Sequence, residues 1–164
     1  MLCGLYSAKA QDLSSIDYAK IRFIDSQPST GNYLSFSADR KVDVDTAIVW
    51  LNTMFTNPAF NNYQAWLHYQ RGRFHYLRKE IELAQRDLEA AMDLEPKYYE
   101  ALERLSTMSY HHLKNYTKRR IYINNGIKAY EEELKEDSSN AMYWYYYAKF
   151  LDLDSEFSNA QNKQ

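Results

Sequence analysis

The chain has 164 residues, enough for one domain with a substantial core, and its formal net charge of −2 gives no electrostatic reason to expect a polyanionic partner. Its 4 glycines and 3 prolines are few for an all-β protein with many tight turns, so long helices are favoured. A single cysteine, Cys3, excludes an internal disulfide framework, and the apolar runs are too short to span a bilayer.

Residues 1–40 are predicted to form an irregular N-terminal extension that packs on helices. Residues 26–32 have the composition of a turn, and Ile21 and Phe23, like Leu34 and Phe36, alternate with polar residues as in short extended segments. The segment Ala8-Lys9-Ala10 resembles the end of a secretory signal, but only seven residues precede it. An intracellular location is therefore favoured, and a secreted or periplasmic one follows if this match is a truncated signal peptide.

Helical periodicity begins near residue 43 and predicts about six helices. The first is expected to end at Pro58, the second to run from about 62 to 77, and the fourth to begin after Pro96 and end near Leu113. Five of the six helices have an apolar stripe. In chain order, for the first and then the third to sixth helices, the stripes are Ala47, Leu51 and Met54; Ile81, Ala84, Leu88 and Ala91; Ala101, Leu105 and Met108; Ile123, Ile127, Tyr130 and Leu134; and Trp144, Tyr147, Ala148 and Leu151. Residues 154–164 are polar and are predicted to be a frayed tail.

Residues 65–96 resemble a tetratricopeptide repeat, a pair of antiparallel helices of about 34 residues. Five residues fall in the family's positions in one register: Gly72, Ala84, Leu88, Ala91 and Pro96. Gly72 and Ala84 would lie where two helices cross closely, and Leu88 would fill the gap between one helix pair and the next.

Weaker units follow this one and precede it, so the resemblance covers roughly residues 43–153. It implies a domain over residues 41–153 that forms a short right-handed α-α superhelix with a concave, partner-binding face. Glu133 departs from the pattern at a small position, and the second unit is longer than the family's. A helical bundle in which the one clean unit is accidental remains the alternative.

The same resemblance implies which side chains line the concave face. They are Trp66, Tyr69, Gln70, Arg73 and Tyr76 in the clean unit, then Arg104, Tyr110, Tyr145, Tyr146 and Lys149 among the later ones. Aromatic residues around arginine are typical of binding hot spots. The alternative is that Trp66 and Tyr69 pack on the N-terminal extension or on a neighbouring helix.

The aromatic run 143–147 predicts a covered surface on the last helix. We expect Trp144 and Tyr147 to be buried against the preceding helix, and Tyr143, Tyr145 and Tyr146 to point away from it. The cover could be the N-terminal extension or a partner protein, including a second copy of this chain. A partner is favoured, because the extension has few large apolar residues.

No catalytic or metal-binding motif is recognised in the sequence. His68 and His75 share a helix face, and His111 and His112 are adjacent, but neither pair has a cysteine or acidic residue at a usual ligand spacing. The sequence has no nucleophile motif and too little glycine for a phosphate-binding loop. We therefore expect a protein without enzymatic activity, metal or cofactor.

The sequence predicts a protein-protein interaction module that acts as an adaptor, a scaffold or a structural subunit of a larger assembly. Its partner would be another protein or a peptide. The alternative is a helical-repeat RNA-binding protein, because the basic stretches 71–79 and 114–120 interleave with aromatic residues. The acids that follow at 80–89 weaken that positive field and disfavour nucleic acid.

Overall fold

The computed structural model describes residues 15–26 and 44–161, and these residues form an all-α fold without strands. The helices are α1 (Ser15–Ser26), α2 (Val44–Phe55), α3 (Gln64–Leu77), α4 (Ile81–Leu94), α5 (Tyr99–His111), α6 (Tyr116–Glu136) and α7 (Ala141–Gln161), with a 3₁₀ helix at Pro58–Tyr63. The predicted fold class is thus confirmed. The predicted superhelix remains a prediction.

The chain divides into two compact units, residues 1–87 and residues 88–164, and the division falls within α4. In unit 1, α2 packs against α3 and against the 3₁₀ helix. The Asn57 side chain caps that 3₁₀ helix by accepting a hydrogen bond from the backbone N–H of Ala59. The core of unit 1 is made of buried residues of α2, α3 and the 3₁₀ helix with two residues of α1: Ile21, Ile24, Ala47, Ile48, Leu51, Met54, Phe60, Trp66, Leu67, Phe74 and Leu77.

Helix α1 corrects the prediction that residues 1–40 are irregular. Ile21 and Ile24 lie three residues apart, share one helix face and are almost fully buried. The alternation of Ile21 and Phe23 predicted a short extended segment and was misleading, because the buried residues Ile21 and Ile24 have a helical spacing. Cys3, the segment Ala8-Lys9-Ala10, Leu34 and Phe36 lie outside the described residues.

In unit 2, α6 packs against both α5 and α7. The buried residues of unit 2 include the predicted stripe of α5, two of the four predicted stripe residues of α6, and Phe150 of α7: Ala101, Leu102, Leu105, Met108, Ile123, Tyr130 and Phe150. The other two residues of the α6 stripe, Ile127 and Leu134, are half-buried. Asn115 begins α6 by accepting a hydrogen bond from the backbone N–H of Lys118. Helix α7 continues to Gln161, so the prediction that the tail begins at residue 154 is wrong.

Gly126 marks a close crossing of α6 and α7. A Cβ atom on Gly126 would lie 2.5 Å from the Phe150 ring, nearer than van der Waals contact allows. Gly72, Ala84 and Leu88 are buried. The close crossing predicted at Gly72 and Ala84 remains a prediction.

Candidate functional site

The α3 stripe predicted to line a groove is mostly buried. Trp66, Tyr69, Gln70 and Arg73 are buried, and Tyr76 is half-buried. Trp66 joins the core with Ile21 and Ile24 of α1, and the Arg73 guanidinium donates a 2.6 Å hydrogen bond to the backbone carbonyl of Ile24. The prediction that this stripe lies on a partly exposed face is wrong, because α1 packs over it.

Another face of α3 carries a half-buried ion network centred on Asp87 of α4. Arg71 donates two hydrogen bonds to the Asp87 carboxylate, at 2.8 and 2.7 Å, and His68 lies 2.9 Å from the same group. Burial alone would raise the pKa of Asp87, but the hydrogen bonds from Arg71 and His68 outweigh it and hold the pKa below its usual value. The Phe55 ring lies beneath the Arg71 guanidinium at 4.2 Å and also contacts His68.

His68 and His75, the two histidines that share a face of α3, form ion pairs within unit 1. His75 pairs with Glu80 at 2.6 Å and lies 3.7 Å from Asp87. Within the described ranges, no group of three or more His, Cys, Asp and Glu side chains is arranged to hold a metal ion.

Cations of both basic stretches are paired with acids or covered by aromatic rings. Arg78 contacts Asp45 and Glu80, and Lys118 contacts Glu89, which also accepts a hydrogen bond from Tyr122. The guanidinium of Arg119 is buried and stacks over the ring of Tyr110 at 4.2 Å. These contacts neutralise or cover much of the positive charge on which the RNA-binding alternative was based.

The structure brings two of the predicted site residues of α7, Tyr146 and Lys149, into contact with α5. Lys149 donates a 2.5 Å hydrogen bond to Glu103, and the rings of Tyr146 and Tyr99 lie 3.9 Å apart. Arg104 and Tyr110 are half-buried on α5. Five of the ten predicted site residues therefore fall in unit 2 with at least part of their side chains accessible: Arg104, Tyr110, Tyr145, Tyr146 and Lys149.

A tyrosine cluster fills the space between α5, α6 and α7. Tyr130 is almost fully buried, and its ring packs against Tyr99, Tyr143, Tyr146 and Phe150. Burial raises the pKa of Tyr130, so its hydroxyl stays protonated. The prediction that Tyr143 and Tyr146 point away from the preceding helix is wrong, because both rings pack on Tyr130.

Trp144 departs from its prediction in the opposite direction. Its side chain was predicted to be buried but is 52% exposed, while Phe150 is 1% exposed and occupies the core. The indole N–H donates a hydrogen bond to the carbonyl of Ser138, which fixes the ring at the surface. Tyr145 and Leu151 are also exposed, at 54% and 44%.

We call Trp144, Tyr145, Ala148 and Leu151 the α7 face. All four residues are exposed, and their spacing places them on one side of the helix. Beside Trp144, an open groove of about 360 Å³ is lined by Glu131, Leu134, Lys135 and Tyr147. The α7 face and this groove form the candidate site.

Comparison of the chain with protein-family models, with curated proteins and with solved structures found no match. The resemblance to the tetratricopeptide repeat therefore remains a prediction from the residues. Among the helices that the structure describes, none has both the length and the apolar character needed to cross a bilayer.

Proposed function

We propose that this chain is a protein-interaction module, an adaptor or a structural subunit of a larger assembly, and that it holds its partner through the α7 face. The proposal depends on one observation: Trp144, Tyr145 and Leu151, three large apolar or aromatic side chains, are each about half exposed on one side of the same helix. It assigns no catalytic residue and no cofactor.

The size of the patch supports an interaction surface. A tryptophan or tyrosine offers about 150–250 Å², so half exposure leaves about 100 Å² on each of Trp144 and Tyr145. With Ala148 and Leu151 the α7 face reaches roughly 300 Å², the lower end of the about 300–600 Å² of the largest apolar patches on monomers, which are often functional.

A protein partner has more support than RNA. Tryptophan and tyrosine are enriched in protein interfaces, whereas an RNA surface needs uncompensated lysines and arginines. Here Arg71, Arg78 and Lys118 are paired with acids.

The proposal is tested by affinity purification with quantitative mass spectrometry of bound proteins. The test variant is the double substitution Trp144→Ser, Leu151→Ser, and the matched control is Ile121→Ser, which removes an equally exposed apolar side chain from α6. We expect the double variant to lose its partner by about tenfold or more and the control to keep it, with both variants folded, since surface changes usually alter stability by about 0.5 kcal/mol or less. Equal capture by all three proteins would refute the proposal.

A further inference from the structure

We propose that the α7 face binds a single amphipathic helix of another protein, one that carries an apolar stripe flanked by lysines or arginines. This inference rests on the proposed function and specifies the chemistry of the partner.

The shape of the face fits a helix. Trp144, Ala148 and Leu151 follow one another at spacings of four and three residues, so they form a continuous ridge with two large side chains and a small one between them. Ala148 lets a second backbone approach closely at the centre, where a large residue would keep it away. The groove beside Trp144 has room for one large apolar side chain of that second helix, the usual anchor in recognition of amphipathic helices.

The charges around the face are mostly negative. On α6, Lys97 compensates Glu133 at 2.6 Å, and its single charge leaves the more distant Glu132, at 3.9 Å, uncompensated; on α7, Lys149 is compensated by Glu103. The charged residues that then remain over 128–137 and 141–155 are six acids against two lysines: Glu131, Glu132, Glu136, Asp137, Asp152 and Asp154 against Lys128 and Lys135. A partner with basic flanks is therefore attracted and an acidic one repelled.

The charges around the face argue against a second copy of this chain as the occupant. Two α7 faces packed together would bring two acidic surroundings together without compensation. A basic helix removes the repulsion and gains contacts with the flanking acids.

The test uses two synthetic peptides of about 18 residues that share one leucine and alanine stripe and differ in their flanks, lysine in one and glutamate in the other. Binding to the full chain is measured by isothermal titration calorimetry. We expect the lysine peptide to bind about tenfold more tightly than the glutamate peptide, and to weaken severalfold when salt is raised to about 0.5 M. The substitution Leu151→Ser should weaken lysine-peptide binding about fivefold or more, whereas Ile121→Ser should not change it.

Three results would overturn the inference. They are equal or weaker binding of the lysine peptide relative to the glutamate peptide, lysine-peptide binding that survives Leu151→Ser, and a dimer in light scattering that Leu151→Ser dissociates. In each case the proposed function stands or falls separately, on whether capture of the native partner depends on Trp144 and Leu151. If the double variant loses its native partner but the lysine peptide shows no preference, the α7 face is still the interface. The inference that the partner has basic flanks is then wrong.

Discussion

Replacing Gly126 with alanine should destabilise unit 2, although alanine is normally the better helix former. The new Cβ would lie 2.5 Å from Cε1 and Cζ of Phe150 and 2.6 Å from Cδ1, whereas carbon atoms pack at about 3.5–4.0 Å. The Phe150 ring is buried and stacks on Tyr130 at 6.1 Å, so it cannot move without disturbing the tyrosine cluster. Overpacking costs about 1–3 kcal/mol, and the helix propensity of alanine returns about 1 kcal/mol, which leaves a net loss of up to about 2 kcal/mol.

Urea unfolding followed by circular dichroism measures this loss, with Asn124→Ala as the control at an exposed position of the same helix. The control should change stability by only a few tenths of a kcal/mol, since it alters propensity alone. In a Phe150→Leu background the ring is absent, so Gly126→Ala should cost at least about 1 kcal/mol less than in the wild type. If Gly126→Ala stabilises both backgrounds equally, the crossing is looser than described.

Three further substitutions test unit 1 and α4. Arg73→Ala should lower the free energy of unfolding by about 2 kcal/mol, because it removes a buried charged donor from the carbonyl of Ile24, and an unchanged urea midpoint would contradict this. Leu88→Ala should cost about 2–5 kcal/mol by the same assay, since Leu88 is fully buried, and a melting curve that barely moves would refute its core position. Because the folded-state pKa of Asp87 is lowered, its stabilisation is complete above the unfolded value near 3.8 and is lost as the pH falls through the folded pKa. Asp87→Asn should therefore flatten the loss of stability as the pH falls below about 3.8, and an unchanged slope would exclude Asp87 as its source.

The helices from residue 44 onward could be predicted because their buried residues recur at helical spacing. Ala47, Leu51 and Met54 are buried on α2, and Ala84, Leu88 and Ala91 are buried on α4. Pro58 and Pro96 marked the interruptions, although Pro58 begins a 3₁₀ helix as well as following α2. Periodicity of this kind is local, so a single sequence is enough to show it.

The burial of the α3 stripe could not be predicted in the same way. Trp66 and Arg73 have the character of interface residues, and their exposure depends on whether another segment covers them. That segment is α1, about 50 residues earlier in the chain, where Ile24 supplies both an apolar contact and a carbonyl acceptor. The spacing of Ile21 and Ile24 was the available signal, but two residues do not define a helix.

The α7 face was missed because α7 is rich in aromatic residues on more than one side. When Trp144, Tyr147 and Phe150 all have the composition of core residues, hydrophobicity cannot say which of them points inward. The deciding residue lies on another helix: Gly126 leaves space for one ring, and the structure places Phe150 there.

The contact between Gly126 and Phe150 therefore determines the site as well as the core. Residues 144, 148 and 151 lie on a different side of α7 from residue 150, so seating the Phe150 ring against Gly126 turns Trp144, Ala148 and Leu151 outward. The tyrosines next to Trp144 divide in the same way, since Tyr143 and Tyr146 pack on Tyr130 while Tyr145 stays exposed. The exposed apolar face follows from how the core is packed, so a change that loosens the Gly126 crossing should also change how α7 presents Trp144 to a partner.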